Sequence, residues 1–336
     1  MTAKVLVLTG AAALLASPAL AGEAFKDWWV ACDNTRQCAA FGFAGEAFEM
    51  SGYLRIERGA AAADAPQARL VMEGPPGTWS LSVDGRALAS VQAASEDGDG
   101  RASAELSPPQ AAAVIAAAAG GQALQVSAGG KPIGAISLAG SSAALRWMDD
   151  KQKRAGGVTA LVAKGPAPAA SVPPAPELPL VRAAPAVSQA GLPKTPPASV
   201  MALTKDCDDD IADLGAEPIS GRLSADLTLW APLCSRGAYN MIYSFTVVDA
   251  KGAARPLSIR YADGGEATTD LMNVDYDPAT QTLSNFEKGR GIGDCGAANV
   301  WVWDGKAFAP TAQDLMGECR GVTPDDWATT YRSRQK

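Results

Sequence analysis

The chain has 336 residues, 47% of them apolar, so it exceeds what one hydrophobic core usually serves and its length favours two globular units. A formal net charge of −7 argues against non-specific binding to nucleic acid. Histidine is absent, which rules out Ser-His-Asp and Cys-His nucleophilic arrangements.

Residues 1–21 carry Lys4, the apolar run Val5 to Leu15 and the small-residue end Ala19-Leu20-Ala21, the pattern of a secretory signal peptide cleaved after Ala21. Its removal takes one positive charge and no acid, leaving the mature chain more acidic. No later apolar run approaches the ~20 residues of a membrane-spanning helix, so the mature protein is expected in the periplasm without a transmembrane segment. Six cysteines (Cys32, Cys38, Cys207, Cys234, Cys295 and Cys319) in an exported chain predict a disulfide framework. Fifteen connectivities exist for six cysteines. Sequence proximity favours Cys32 with Cys38, Cys207 with Cys234 and Cys295 with Cys319. Metal ligation is the rival, but no C-x-x-C and no histidine accompany them, and no metal or cofactor is expected.

From residue 22 to 164 the chain alternates apolar and polar residues in short segments. These are Trp28 to Cys32, Cys38 to Phe43, Tyr53 to Glu57, Arg69 to Glu73, Trp79 to Val83, Leu124 to Ser127 and Ile133 to Leu138. Gly, Pro and Asp-Gly turns separate them, and Asp97-Gly98-Asp99-Gly100 reads as a hairpin tip. The spacing predicts a β-sandwich or barrel-like sheet. Ser107-Pro108-Pro109-Gln110 is a capping box opening a helix that Gly120-Gly121 stops. A second helix is predicted over about Ser142 to Arg154, with Asp149/Lys153 and Asp150/Arg154 at i,i+4 spacing.

Ten of the chain's 23 prolines fall between Pro166 and Pro197, so residues 165–200 are expected to be an extended, semi-rigid linker separating two domains. The second domain, residues 201–336, opens with a short helix predicted at Asp208 to Leu214. Strands follow at Leu227 to Trp230, Tyr239 to Val248, Leu257 to Tyr261 and Leu271 to Tyr276. Hairpin turns are predicted within Tyr276 to Leu283 and at Trp303-Asp304-Gly305-Lys306. The whole reads as mainly β, with two antiparallel β-rich domains and a few short helices.

Four segments together carry a resemblance. They are Phe25 to Asn34 continuing to Cys38, Ser142 to Asp149, Cys234-Ser235-Arg236-Gly237-Ala238-Tyr239-Asn240, and the glycine run Gly289 to Gly296. They resemble the family of Gram-negative periplasmic proteins catalogued as domain of unknown function eleven-seventy-six, across nearly the whole mature chain. The first half also resembles the invasion-associated locus B family, which shares the Trp, Cys, Cys opening and the Ala-Ala-Leu helix and implies host contact. The main family implies no activity and no catalytic residues.

The candidate chemistry is sparse. Gly291-Ile292-Gly293-Asp294-Cys295-Gly296 matches G-x-G-x-x-G, but a strand pattern follows where a dinucleotide site needs a helix. The run is expected to be a tight turn held by Cys295. Asp206, Asp208, Asp210 and Glu217 fit positions 1, 3, 5 and 12 of a calcium loop, with Ile211 in place of its glycine, and equally fit acids at a helix start. Asp263, Glu266, Asp270, Asp275 and Asp294 are the acids from which a two-carboxylate hydrolase would be built. Arg290, Asp294, Trp301 and Trp303 are the candidate ligand-binding residues, because Trp and Arg most often anchor binding. Same-face tryptophans in an alternating strand equally describe a core. The leading expectation is a non-enzymatic envelope protein with a protein or glycan ligand; the alternative is the histidine-free hydrolase.

Overall fold

The computed structural model describes residues 22–45, 52–96, 100–208, 211 and 215–336. The expected signal peptide, most of the Asp97 to Gly100 turn and most of the Asp208 to Leu214 helix lie outside these residues.

Ten strands build the first half: β1 (Gly22–Phe25), β2 (Trp28–Cys32), β3 (Cys38–Phe43), β4 (Gly52–Arg58), β5 (Gln67–Glu73), β6 (Gly77–Val83), β7 (Arg86–Ser95), β8 (Arg101–Leu106), β9 (Ala123–Ala128) and β10 (Lys131–Ser137). They form one antiparallel sheet in the order β1-β2-β3-β4-β5-β8-β7-β6-β9-β10. Strand β7 pairs with β6 along Arg86 to Ala93 and with β8 only through Ala94 and Ser95. It therefore carries the sheet around a corner, and β10 returns to lie against β3, β4 and β5. The enclosed core holds Trp28, Leu54, Leu70, Trp79 and Leu124, each fully buried. That curl is the expected barrel-like sheet, with β1, β7 and β8 added to the predicted strands.

Helix α1 (Pro108–Ala118) starts where predicted; Gln110 Oε1 accepts the Ser107 backbone N–H at 2.8 Å, and Ala111, Val114, Ile115 and Ala118 are buried. Helix α2 (Ser141–Lys151) packs Ala144, Leu145 and Met148 into the same core. The i,i+4 pairs expected on it do not organise it. Asp149 is fully buried, with Oδ1 2.8 Å from Arg58 Nη2 on β4, and its oxygens accept the backbone N–H groups of Leu161, Val162 and Ala163. Lys153 lies beyond the helix end in a left-handed conformation.

The Pro/Ala-rich segment 165–200 has little regular structure and bonds to both halves, Ala167 bridging to Gly157 and the Pro173 carbonyl accepting from Arg36 Nη2 at 3.0 Å. Its β11 (Leu180–Val181) pairs in parallel with the C-terminal β24 (Arg334–Gln335). Ala184 donates its N–H to the Trp303 carbonyl at 2.7 Å, and Arg222 donates its N–H to Gln189 Oε1 at 2.7 Å. Helix α3 (Ala198–Met201) buries Val200 against Trp230 and Val248. A proline-rich chain can make only such intermittent bonds, because proline has no N–H to give a ladder.

The second half comprises β12 (Ile219–Arg222), β13 (Leu227–Ala231), β14 (Leu233–Arg236), β15 (Met241–Ser244), β16 (Thr246–Asp249), β17 (Ala254–Pro256), β18 (Asp270–Met272), β19 (Val274–Asp277), β20 (Thr282–Lys288), β21 (Gly296–Trp303), β22 (Phe308–Met316) and β23 (Ala328–Arg332). They form antiparallel sheets β12-β13-β16-β17, β14-β15-β18 and β19-β20-β21-β22-β23. Two predicted strands prove to be pairs. Tyr239 to Val248 divides into β15 and β16 around buried Phe245, and Leu271 to Tyr276 divides into β18 and β19 at Asn273, which has φ 47°. Leu257 to Tyr261 makes only a single bridge, Ile259 with Thr268. Both predicted hairpins form, as β19-β20 and β21-β22. The disulfides are Cys32–Cys38, Cys207–Cys234 and Cys295–Cys319, as proximity favoured.

The halves share a third core. Trp29, Phe41, Phe43, Tyr53 and Val71 from the outer face of the first sheet pack with Cys295, Met316, Val322, Trp327 and Ala328 from the second half. Polar contacts frame it. Arg332 and Asn34 exchange two hydrogen bonds of 2.9 Å, Arg332 Nε donates to Asp33 Oδ2 at 2.6 Å, and Arg69 Nε reaches Asp326 Oδ2 at 3.1 Å. No helix among the described residues is long and apolar enough to cross a membrane.

Candidate functional site

The glycine run connects β20 to β21 under tight steric limits. Gly289 donates its N–H to the Cys295 carbonyl at 2.8 Å, and a Cβ at Gly289 would stand 2.7 Å from the Cys295 sulfur. A Cβ at Gly296 would meet the Glu287 carbonyl at 1.8 Å, and Gly296 has φ +131°, so only glycine fits. The Cys295–Cys319 disulfide then ties the loop to the chain beyond β22. The run passes straight into β21, so no helix N-terminus is there to receive a phosphate.

Of the four candidate ligand residues, two shape this loop and two are core. Arg290 grips Asp294 with two hydrogen bonds of 2.7 and 2.5 Å, and Asp294 Oδ2 also accepts the Gly321 N–H at 2.6 Å. Burial opposes ionisation of Asp294, but the Arg290 guanidinium and the Gly321 N–H outweigh it and hold the carboxyl below its usual range. Trp301 and Trp303 face inward with Leu283 and Phe308, and Trp301 Nε1 donates to the Arg260 carbonyl at 2.7 Å. Their alternation puts both on the buried face of β21, leaving no ring for a ligand.

The structure instead joins two of the segments that carry the family resemblance. Tyr239 donates its hydroxyl to the Gly289 carbonyl at 3.1 Å, and Asn240 Nδ2 donates to the Lys288 carbonyl at 3.0 Å. Asn273, left-handed at the strand break, donates from Nδ2 to Asn240 Oδ1 and to the Phe286 carbonyl, each at 2.7 Å. The Cys234 to Asn240 loop is thereby fastened to the glycine run. Around that junction Tyr239 is 42% exposed, Met241 48% and Ile292 63%. The sequence carried one signal of this patch, in that an isoleucine between Gly291 and Gly293 cannot belong to a packed strand. Tyr239 and Met241 were hidden inside an alternating pattern that reads as one continuous strand.

Beside Ile292 opens a cleft of about 390 Å³ between the halves, lined by Glu73 and Arg101 on one side and by Ile292, Asp294, Thr323 and Pro324 on the other. A second cleft of about 320 Å³ is lined by Asp33, Trp147, Lys151, Asp263 and Tyr331 among others. Asp33 is spent there on Thr35, Gln37 and Arg332. The acids offered for hydrolysis are divided: Asp263 lines one cleft and Asp294 the other, while Asp270 and Asp275 are exposed on β18 and β19 in different sheets. Of the calcium-loop residues, Asp210 lies outside the described residues, and no group of three or more Asp, Glu or Cys able to hold a metal occurs among those described.

These features define a mainly β, disulfide-closed protein whose two halves are fused through a shared core and whose surface loops converge on a glycine turn. The chain belongs to the family described as "Protein of unknown function (DUF1176)", whose model matches residues 22–334. It is also 30% identical over 359 aligned positions to the "Uncharacterized protein YpfG" of Escherichia coli (strain K12), covering 94% of this chain and 93% of that protein. No solved structure matches the chain.

Proposed function

We propose that the protein is an exported, periplasmic, non-enzymatic binding protein whose contact surface for an envelope partner is the junction of the Cys234 to Asn240 loop with the glycine run. The observation that carries this reading is the cluster of Tyr239, Met241 and Ile292. Three large apolar side chains stand in solvent, Tyr239 and Ile292 on loops and Met241 at the start of β15, in segments held by the Cys295–Cys319 and Cys207–Cys234 disulfides and by the Asn240 and Asn273 hydrogen bonds. Rigid exposed anchors bind with little ordering cost, and Tyr is among the residues that most often dominate interfaces. Arg290, a third exposed beside Ile292, adds a polar rim. The signal-peptide pattern at residues 1–21 and the three disulfides favour the oxidising periplasm. The likeness of the first half to the invasion-associated locus B family favours a protein partner over a glycan.

The test places a photo-crosslinking residue at Ile292 or Tyr239 in the protein in its own cells, with Val158, 57% exposed elsewhere, as the control position. One reproducible adduct from Ile292 and Tyr239 that is absent from Val158 supports the reading. Equal or no adducts from all three positions reject it.

A further inference from the structure

The cleft beside Ile292 is lined by Arg101, two of whose guanidinium nitrogens have no hydrogen-bond partner. Arg101 begins β8 and lays its guanidinium carbon 5.4 Å from the centre of the Tyr53 ring. Its Nε and Nη2 are buried and have no hydrogen-bond partner. A buried donor left without a partner is costly, and for a charged group more so, which makes such an atom a mark of something still to be bound. The neighbouring arginines have ionic partners: Arg69 has Glu96, Glu105 and Asp326, Arg332 has Asp33, and Arg55 and Arg320, though each leaves Nε unbonded, reach Glu57 and Asp27.

The surroundings hold Arg101 ready. The Tyr53 ring under it is fixed by its hydroxyl, which donates to Asp326 Oδ2 at 2.5 Å and lies 3.2 Å from Thr323 Oγ1. Among the described residues, two carboxylates border the cleft. Asp294 is saturated by Arg290 and Gly321, and Glu73, the cross-strand neighbour of Arg101, is exposed and forms no ion pair with it. Across from them stand the apolar surfaces of exposed Ile292 and Pro324. The volume of about 390 Å³ falls at the small end of ligand pockets.

We propose that this cleft binds a small carboxylate, with its head group on Arg101 and an apolar body along Ile292 and Pro324. A guanidinium presents a planar fork that matches a carboxylate, and stacking on an aromatic ring pre-organises it. Glu73 and Asp294 lower the local potential, which favours a monoanion over a phosphate dianion. This site adjoins the proposed partner surface and shares Ile292 with it, while Tyr239 and Met241 belong to that surface alone.

The test is an NMR titration of the arginine Nε–H resonances of the mature full-length chain with N-acetyl-leucine, using N-acetyl-leucinamide as the uncharged twin. The Arg101 resonance is identified by its absence in Arg101→Met, or in Arg101→Lys should the methionine variant fail to fold. It is expected to shift with the acid and not with the amide. Arg101→Met should weaken the response about tenfold or more, since the charge-assisted bonds are lost. Glu73→Gln, which removes an acid from the cleft edge beside the guanidinium, should tighten it several-fold. An Arg101 resonance that stays still with the acid, or moves equally with the amide, overturns the proposal. Tyr239→Ala with Met241→Ser should leave the titration unchanged, which separates this site from the partner surface.

Discussion

Three buried carboxylates, Asp33, Asp149 and Asp294, position the chain around them, and each does it by accepting several donors. Asp149 takes the Arg58 guanidinium and three successive backbone N–H groups, so it fixes the end of α2, strand β4 and the segment after the helix together. Removing one partner of such a pair leaves an uncompensated buried charge, so Arg58→Ala should lower stability by about 3–5 kcal/mol in urea unfolding. Asp149→Leu should cost at least as much, since it also strands the N–H groups of residues 161–163. Asp294 offers a pH signature. Its folded-state pKa is depressed below that of the unfolded chain, so its contribution is fully present above about pH 4 and is lost as the pH falls through the folded value. The difference in melting temperature between the wild type and Asp294→Asn should therefore hold steady from neutral pH down to about pH 4 and shrink below it. A difference independent of pH down to acid unfolding would show that the carboxylate charge is not what secures the turn.

At the scale of elements, alternation and turn residues were enough to place strands whose neighbours lie next to them in sequence. The β2-β3 hairpin, both second-half hairpins and α1 with its capping box follow from local chemistry alone. What the sequence hid was non-local. Alternation continues through Phe245, so nothing local shows that β15 and β16 enter different sheets. Asn273 breaks β18 from β19 because asparagine tolerates a left-handed backbone and its side chain finds Asn240, 33 positions away. The candidate site was half legible for the same reason. The glycine run was visible as a turn, but the alternating pattern over Tyr239 to Val248 hid that Tyr239 precedes β15 and that Met241 begins it with its side chain exposed. Asn273→Ala should cost about 1–3 kcal/mol through backbone strain and lost bonds, and should also loosen Tyr239 from Gly289. Faster hydrogen exchange at residues 288–291 in that variant, with the first half unchanged, is the expected readout.

For the whole molecule, the outer face of the first sheet decides whether there are two folding units or one. A proline-rich connection between two β-rich stretches suggests independent modules, but Trp29, Phe41, Phe43 and Tyr53 are buried in a core that the second half helps to build. Burying one such side chain is worth about 1.5–3 kcal/mol, so their sum rivals the 5–15 kcal/mol that holds a typical domain folded. The ion pairs that frame this core gain less on their open side: the Arg332 guanidinium is 38% exposed, although its partner Asp33 is buried. The apolar contact therefore dominates the coupling, and the halves should unfold together. Calorimetry of the mature chain should show a single transition, and Phe41→Asp, placed in the shared core, should lower it as a whole without splitting it. Residues 22–164 expressed alone would leave those aromatic rings in water, so the fragment should bind a hydrophobic dye or self-associate where the full chain does not. Two separate transitions, with only one of them moved by Phe41→Asp, would show instead that the shared core is a docking contact between units that fold alone.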